Sequence, residues 1–189
     1  MGRKRRANPP PAEAAALTTP KLILLDVDGV LAPFGGRDPA PPRGGKNVRR
    51  DSDEAFAPFD DRCLDRLAAI VEATDASLVL SSSWRASDAA IATIERRLRR
   101  HSATLASRVP LELFTDRRRH SVRQWEIAEF LATTECSAWV ALDDEELVEG
   151  AEQARHRDLF RGRVSTIESS LGLQDVHVAE AIQTLGAVD

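Results

Sequence analysis

Two spacings of apolar residues alternate along the chain. Residues 22–25 (LILL) and 77–80 (SLVL) are short apolar runs, the pattern of strands buried on both faces of a sheet. AWVAL at 138–142 repeats it, VPLELF at 109–114 is a further candidate, and RVSTI at 163–167 is a weaker last strand. Between these runs the apolar positions recur every three or four residues. Asp60 and Asp61 open a helix to about Thr74, with Leu64, Leu67, Ile70 and Val71 on one face. Ser87 can cap a helix carrying Ile91, Ile94 and Leu98. Residues 121–132 read as helical with Trp125, Ala128 and Leu131 as the apolar stripe, and 175–185 as a closing helix. Strands alternating with helices predict an α/β fold, a three-layer parallel sheet with helices on both faces.

Two segments fall outside this rhythm. Residues 32–59 are rich in Pro and Gly, too long for a plain connection, and are expected to form a functional loop or small lid. Residues 1–20 are basic, then rich in Pro and Ala, and are expected to be a disordered tail ahead of one domain at 21–189. The chain has 189 residues, 42% hydrophobic and 30% charged, in the range of a soluble globular domain. No apolar run approaches the ~18 residues of a membrane span. The basic start is followed by no apolar stretch of a secretory signal, and Arg6 stands where a myristoylation motif wants Ser or Thr. Cys63 and Cys136 are expected as free thiols in a reducing compartment, which points to the cytoplasm.

Net charge is −4, against bulk attraction to nucleic acid. The cations are nevertheless clustered, in GRKRR at the start, RRLRRH at 96–101 and DRRRHSVR at 116–123. Such runs read first as solvated helix faces and loops, and otherwise as a local patch for an anionic substrate. Few aromatic residues interleave with them, so a base-stacking surface has little support.

The chemistry gathers where the apolar runs end. In a sheet of this kind ligands bind beyond the carboxyl ends of the strands. The first run ends in Asp26 and Asp28, the second in Ser81 to Ser83, and the fourth in Asp143 and Asp144. Residues two apart on a strand share a face, so Asp26 and Asp28 can enter one crevice while Val27 turns to the core. Gly29 lets the chain leave by a path closed to other residues. Four carboxylates in one crevice raise each other's pKa unless a cation lies among them. Hard oxygen donors without a nearby His or Cys cluster point to Mg²⁺. An EF-hand is excluded, since Val30, Leu31 and Arg37 would fill required loop positions. Trp84 and Arg85 follow the serines at the rim, where they could contact a leaving group; Trp84 could equally pack under the next helix. Trp125 and Trp139 read as core, and the four histidines show no ligand spacing.

Taken in order, LLDVDGVL, LVLSSSWR, RQWEIAEFL and VALDDEE resemble the four motifs of the haloacid dehalogenase-like (HAD) hydrolases. Their combination is most similar to the HAD domain of Swiss Army Knife RNA repair proteins, over about residues 21–186. The resemblance implies a Rossmann-like HAD fold with a minimal cap at 32–59, and a Mg²⁺-dependent phosphoric monoester hydrolase. Asp26 would be the nucleophile that forms an aspartyl-phosphate, and Asp28 the acid and then the base. Asp26, Asp28 (through its backbone carbonyl), Asp143 and Asp144 would hold Mg²⁺. Ser81 or Ser82 would bind a phosphoryl oxygen. Arg123 would be the third-motif cation, with Arg117, Arg118 and Arg119 as rivals. The implied substrate is a phosphorylated small molecule or a nucleic-acid end, with no membrane partner. Two other readings stay open: a catalytically silent nucleic-acid-binding module of the same fold, and a phospho-receiver signalling domain. A receiver, however, places its acid pair as neighbours after the first strand and its phosphorylated Asp after a later one, the reverse of the order here.

Overall fold

The computed structural model describes residues 19–34, 59–116 and 122–188. Five strands, β1 (Lys21–Leu25), β2 (Ser77–Leu80), β3 (Leu113–Phe114), β4 (Ala138–Asp143) and β5 (Val164–Thr166), form one sheet in the order β3-β2-β1-β4-β5. Every pairing is parallel. The helices are α1 (Asp61–Thr74), α2 (Asp88–His101), α3 (Ala103–Ala106), α4 (Arg123–Thr133), α5 (Arg157–Phe160) and α6 (Asp175–Leu185).

Both faces of the sheet are covered, which explains why its central strands are apolar without alternation. Ile23, Leu25, Leu78, Leu80, Val140 and Leu142 pack on one side against α1, α2 and α6, through residues such as Leu64, Leu67, Ile94, Leu98 and Ala181. Leu22, Leu24, Val79, Trp139 and Ala141 pack on the other against Ile127 and Ala128 of α4 and Phe160 of α5. Each fully buried Leu or Ile contributes about 1.5–3 kcal/mol of transfer free energy. The three-layer architecture predicted from the apolar rhythm is therefore the one observed.

Local chemistry sets the helix ends. Asp60 caps α1 by accepting from the Arg62 amide at 2.8 Å, and Ser87 caps α2 by accepting from the Ala90 amide. At α6, His177 Nδ1 accepts from the Gln174 amide at 3.0 Å in a capping box. Burial holds the His177 pKa below its ordinary value.

The structure departs from the sequence reading in three places. The strand expected at 109–114 pairs only at Leu113 and Phe114; Pro110, lacking an N–H, cannot donate to a ladder, although Leu111 is still buried. The stripe on α4 is also rotated: Gln124, Glu126, Ile127 and Ala128 are buried, and Trp125 is not. Trp125 instead lies beneath the Arg155 guanidinium, 5.4 Å from its ring centroid, whereas Trp139 is core as expected, packed edge-on against Phe160 at 5.2 Å. The third departure is Arg85, whose side chain is buried against Glu126 instead of standing at the rim.

The run at 96–101 is largely paired. Arg97 bonds Asp61, His101 Nε2 lies 2.8 Å from Asp65, and Arg99 lies 3.7 Å from Glu95. Cys63 and Cys136 are free thiols. Among the described residues no helix is long and apolar enough to cross a membrane. The expected tail, apart from Thr19 and Pro20, most of the 32–59 segment, and the rival cations Arg117, Arg118 and Arg119 lie outside the described residues. The chain is tied down at Phe34 and again at Asp60, just past the segment. The Phe34 amide donates to Ser169 O at 2.8 Å, and the Asp60 amide to Leu31 O at 2.9 Å.

Candidate active site at the carboxyl edge of the sheet

The ladders of β1, β2 and β3 each continue one residue past the end of the strand. The Asp26 amide donates to Leu142 O, the Ser81 amide to Leu25 O, and the Thr115 amide to Leu80 O. The register that pairs Leu25 with Leu80 and Leu142, and Leu80 with Phe114, therefore brings Thr115, Ser81, Asp26 and Asp143 level across four neighbouring strands. Laterally paired residues share a face, and this face is the one covered by α4. All four are buried, a polar row at the last rung of an otherwise apolar sheet.

Carboxylates crowd the β1–β4 end of the row. One oxygen from each of Asp26, Asp143 and Asp144 lies within 4.8 Å of the others. Burial, together with the nearby charge of Asp26, pushes the Asp143 pKa up to about 8, despite the opposing pull of Arg123. The same two causes raise Asp144. A cation relieves this crowding, and three hard oxygens without His or Cys suit Mg²⁺, whose ~2 Å bonds can draw a set of this spread together. Gly29 makes room for Asp144. Its φ of 72° is in the left-handed region, and a Cβ there would run into the Asp144 carboxylate and lie 2.9 Å from Ser169 Cβ. The Asp28 carboxylate is not among the three: its Oδ2 accepts from Trp84 Nε1 at 3.0 Å. Of the four carboxylates expected around a metal, the structure therefore gathers three.

Arg123, the first residue of α4, reaches into this cluster. Its NH1 donates to Asp143 Oδ2 at 3.0 Å and lies 3.5 Å from Asp26 Oδ2, and NH2 reaches Glu145 Oε1 at 3.4 Å. Burial works to lower its pKa; the carboxylates of Asp143, Asp26, Glu145 and Glu126 outweigh this and raise it.

Behind Arg123 stands a buried strut that sequence reasoning missed. Arg85 was expected at the rim; instead its side chain is 5% exposed and turned inward. NH1 donates to the carbonyls of Ser81 and Ser82, and NH2 pairs with Glu126, itself 3.9 Å from Arg123 Nε. The end of β2 and the start of α4 are thus joined through one carboxylate. The buried Glu126 three residues after Arg123 was the available signal, since a charge at that spacing returns to the same helix face.

The two serines differ. Ser82 Oγ accepts from the Trp84 amide at 3.5 Å and caps the 3-10 turn Ser83–Ala86. Ser81 Oγ is fully buried with no hydrogen-bond partner among the described residues. A buried hydroxyl without a partner is costly, so one placed beside Asp26 is a prepared contact for a ligand oxygen. Thr115 Oγ1, two strands from Asp26, is likewise buried and without a partner among the described residues, and nothing in its sequence context singled it out.

Residues 22–178 match the family model described as the HAD domain in Swiss Army Knife RNA repair proteins. Comparison with curated proteins and comparison with solved structures each returned no match.

Proposed function

The chain belongs to the family of HAD domains in Swiss Army Knife RNA repair proteins, and from that premise we propose that it is a Mg²⁺-dependent phosphoric monoester hydrolase working through an aspartyl-phosphate. The observation that carries the reading is the polar row. Asp26 sits at its centre, the unpartnered Ser81 hydroxyl on one side, Asp143 on the other, and Arg123 against both acids.

An Asp26 carboxylate oxygen attacks phosphorus, and the bond from phosphorus to the leaving oxygen breaks. Asp28 delivers a proton to that oxygen. Water then attacks the aspartyl-phosphate, Asp28 takes its proton, and inorganic phosphate leaves as the Asp26 carboxylate is restored. Ser81 donates to one equatorial phosphoryl oxygen and Arg123 to another, stabilising charge that spreads over them in the transition state. Asp26, Asp143, Asp144 and the carbonyl of residue 28 would hold Mg²⁺, which supplies charge neutralisation between the attacking carboxylate and the phosphate dianion.

The substrate we infer is a phosphorylated nucleic-acid end or a nucleotide, in a cytoplasmic setting that suits two free thiols. The RNA-repair description of the family supports this substrate class. The run at 96–101 adds little, because Arg97, Arg99 and His101 are paired to acids. The test is phosphate release from an aryl phosphate, mononucleotides and 3′- or 5′-phosphorylated oligonucleotides, with and without Mg²⁺. Wild-type turnover that Asp26→Asn abolishes supports the reading. Equal inertness of both proteins across the panel overturns it.

A further inference from the structure

We propose that Trp84 is a positioning residue that aims the Asp28 carboxylate, holding Oδ2 so that Oδ1 alone faces the substrate; the catalytic part of this inference rests on the reading above. The indole N–H of Trp84 donates to Asp28 Oδ2 at 3.0 Å, across a sequence separation of 56 residues. Asp28 Oδ1 has no hydrogen-bond partner among the described residues. One oxygen is therefore held and the other left open, which is the arrangement a group needs if it must meet a leaving oxygen and later a water from one fixed direction.

Trp84 is itself fixed from two sides. Its backbone lies in the turn Ser83–Ala86, where its amide donates to Ser82 Oγ and its carbonyl accepts from the Ser87 amide at 3.2 Å. Its ring meets Phe59 edge-on, with centroids 5.8 Å apart and planes at 61°. Phe59 precedes Asp60, whose amide is anchored on Leu31 O, three residues after Asp28. The aromatic pair thus clamps the indole against the same loop that carries its acceptor. Phe would fill this space and offer no donor. Lys or Arg would donate and add a second positive charge to a crevice that already contains Arg123. Indole is donor-only and neutral, so it fixes direction without altering the charge of the site.

The experiment has two readouts. In ¹⁵N-labelled protein the side chains of Trp84, Trp125 and Trp139 each give an indole N–H signal, and Trp84→Phe identifies the first by its loss. Asp28→Ala should move the Trp84 signal upfield and leave those of Trp125 and Trp139 in place. In kinetics, Trp84→Phe should lower kcat by about ten-fold with KM within about two-fold, a partial loss of the ~10²–10⁴ that a positioned acid–base group supplies. A Trp84 signal indifferent to Asp28→Ala overturns the proposal, as does a folded Trp84→Phe variant with wild-type kcat. If the wild type turns over no phosphate ester, the hydrolase reading falls separately, and the indole signal alone decides whether Trp84 holds Asp28.

Discussion

Arg123 donates to Asp143 Oδ2 at 3.0 Å where the arginine side chain is 10% exposed and the aspartate fully buried. A cation held this deep by an acid is coupled to everything around it. Removing the cation leaves the acids of the row facing one another, and removes a donor aimed at the phosphoryl site. Arg123→Ala is expected to lower kcat by about 10²-fold or more, the scale of losing one preorganised donor. Arg123→Lys keeps the charge without the planar fork and should fall between the two. Steady-state kinetics on an aryl phosphate, with circular dichroism to confirm folding, checks the order.

The raised pKa of Asp143 makes metal-free stability depend on pH. Burial pushes the Asp143 pKa up to about 8 in the folded protein, against its ordinary value of 3.8 in an unfolded chain. Across that window the folded state binds more protons, so this group's contribution to stability declines as pH rises. Mg²⁺ binds the ionised form and opposes the decline. The rise in Tm on adding MgCl₂ should therefore be larger at pH 8 than at pH 5. A shift of the same size at both values would count against the acid cluster as the metal site.

Gly29→Ala separates the backbone turn from the chemistry. The left-handed φ costs about 1–2 kcal/mol for a residue with a Cβ, and that Cβ also displaces the Asp144 carboxylate. The expected result is a lower Tm together with a smaller Mg²⁺-induced shift than wild type, read by thermal melts with and without the ion.

Glu126→Gln tests the strut. It removes the charge between Arg85 and Arg123 and leaves a buried guanidinium short of its partner, a loss of about 3–5 kcal/mol for breaking a buried pair. Arg85→Gln should be similar. The double variant should cost less than the sum, because the two side chains share one interaction. Urea unfolding of the single and double variants measures the coupling directly.

The parts legible in the sequence were those set by local pattern. Runs such as LILL and SLVL must be buried on both faces, and the residues that end them fall at the sheet edge. Asp26 and Asp28, Ser81 or Ser82, and Asp143 and Asp144 could therefore be placed at one rim, while the register that sets Ser81, Asp26 and Asp143 in one row came only from the strand pairing. What stayed hidden depends on which way a long side chain turns. Arg85 turns inward to carbonyls and to Glu126, Trp84 reaches across to Asp28, and Gln124 points into the protein to donate to Leu147 O at 2.8 Å and Gln153 O at 2.9 Å. A helical stripe drawn from apolar residues alone misses such positions, which is why Trp125 was assigned to the interior in place of Gln124 and Glu126.

Because the row is defined by ladder hydrogen bonds, its alignment is inherited from main-chain pairing. Sliding any one strand by a single position would carry its member to the opposite side of the sheet, where α1 and α6 pack. One-residue insertions or deletions inside β1, β2 or β4 should thus abolish the site outright, while changes of length in the connecting loops leave it standing.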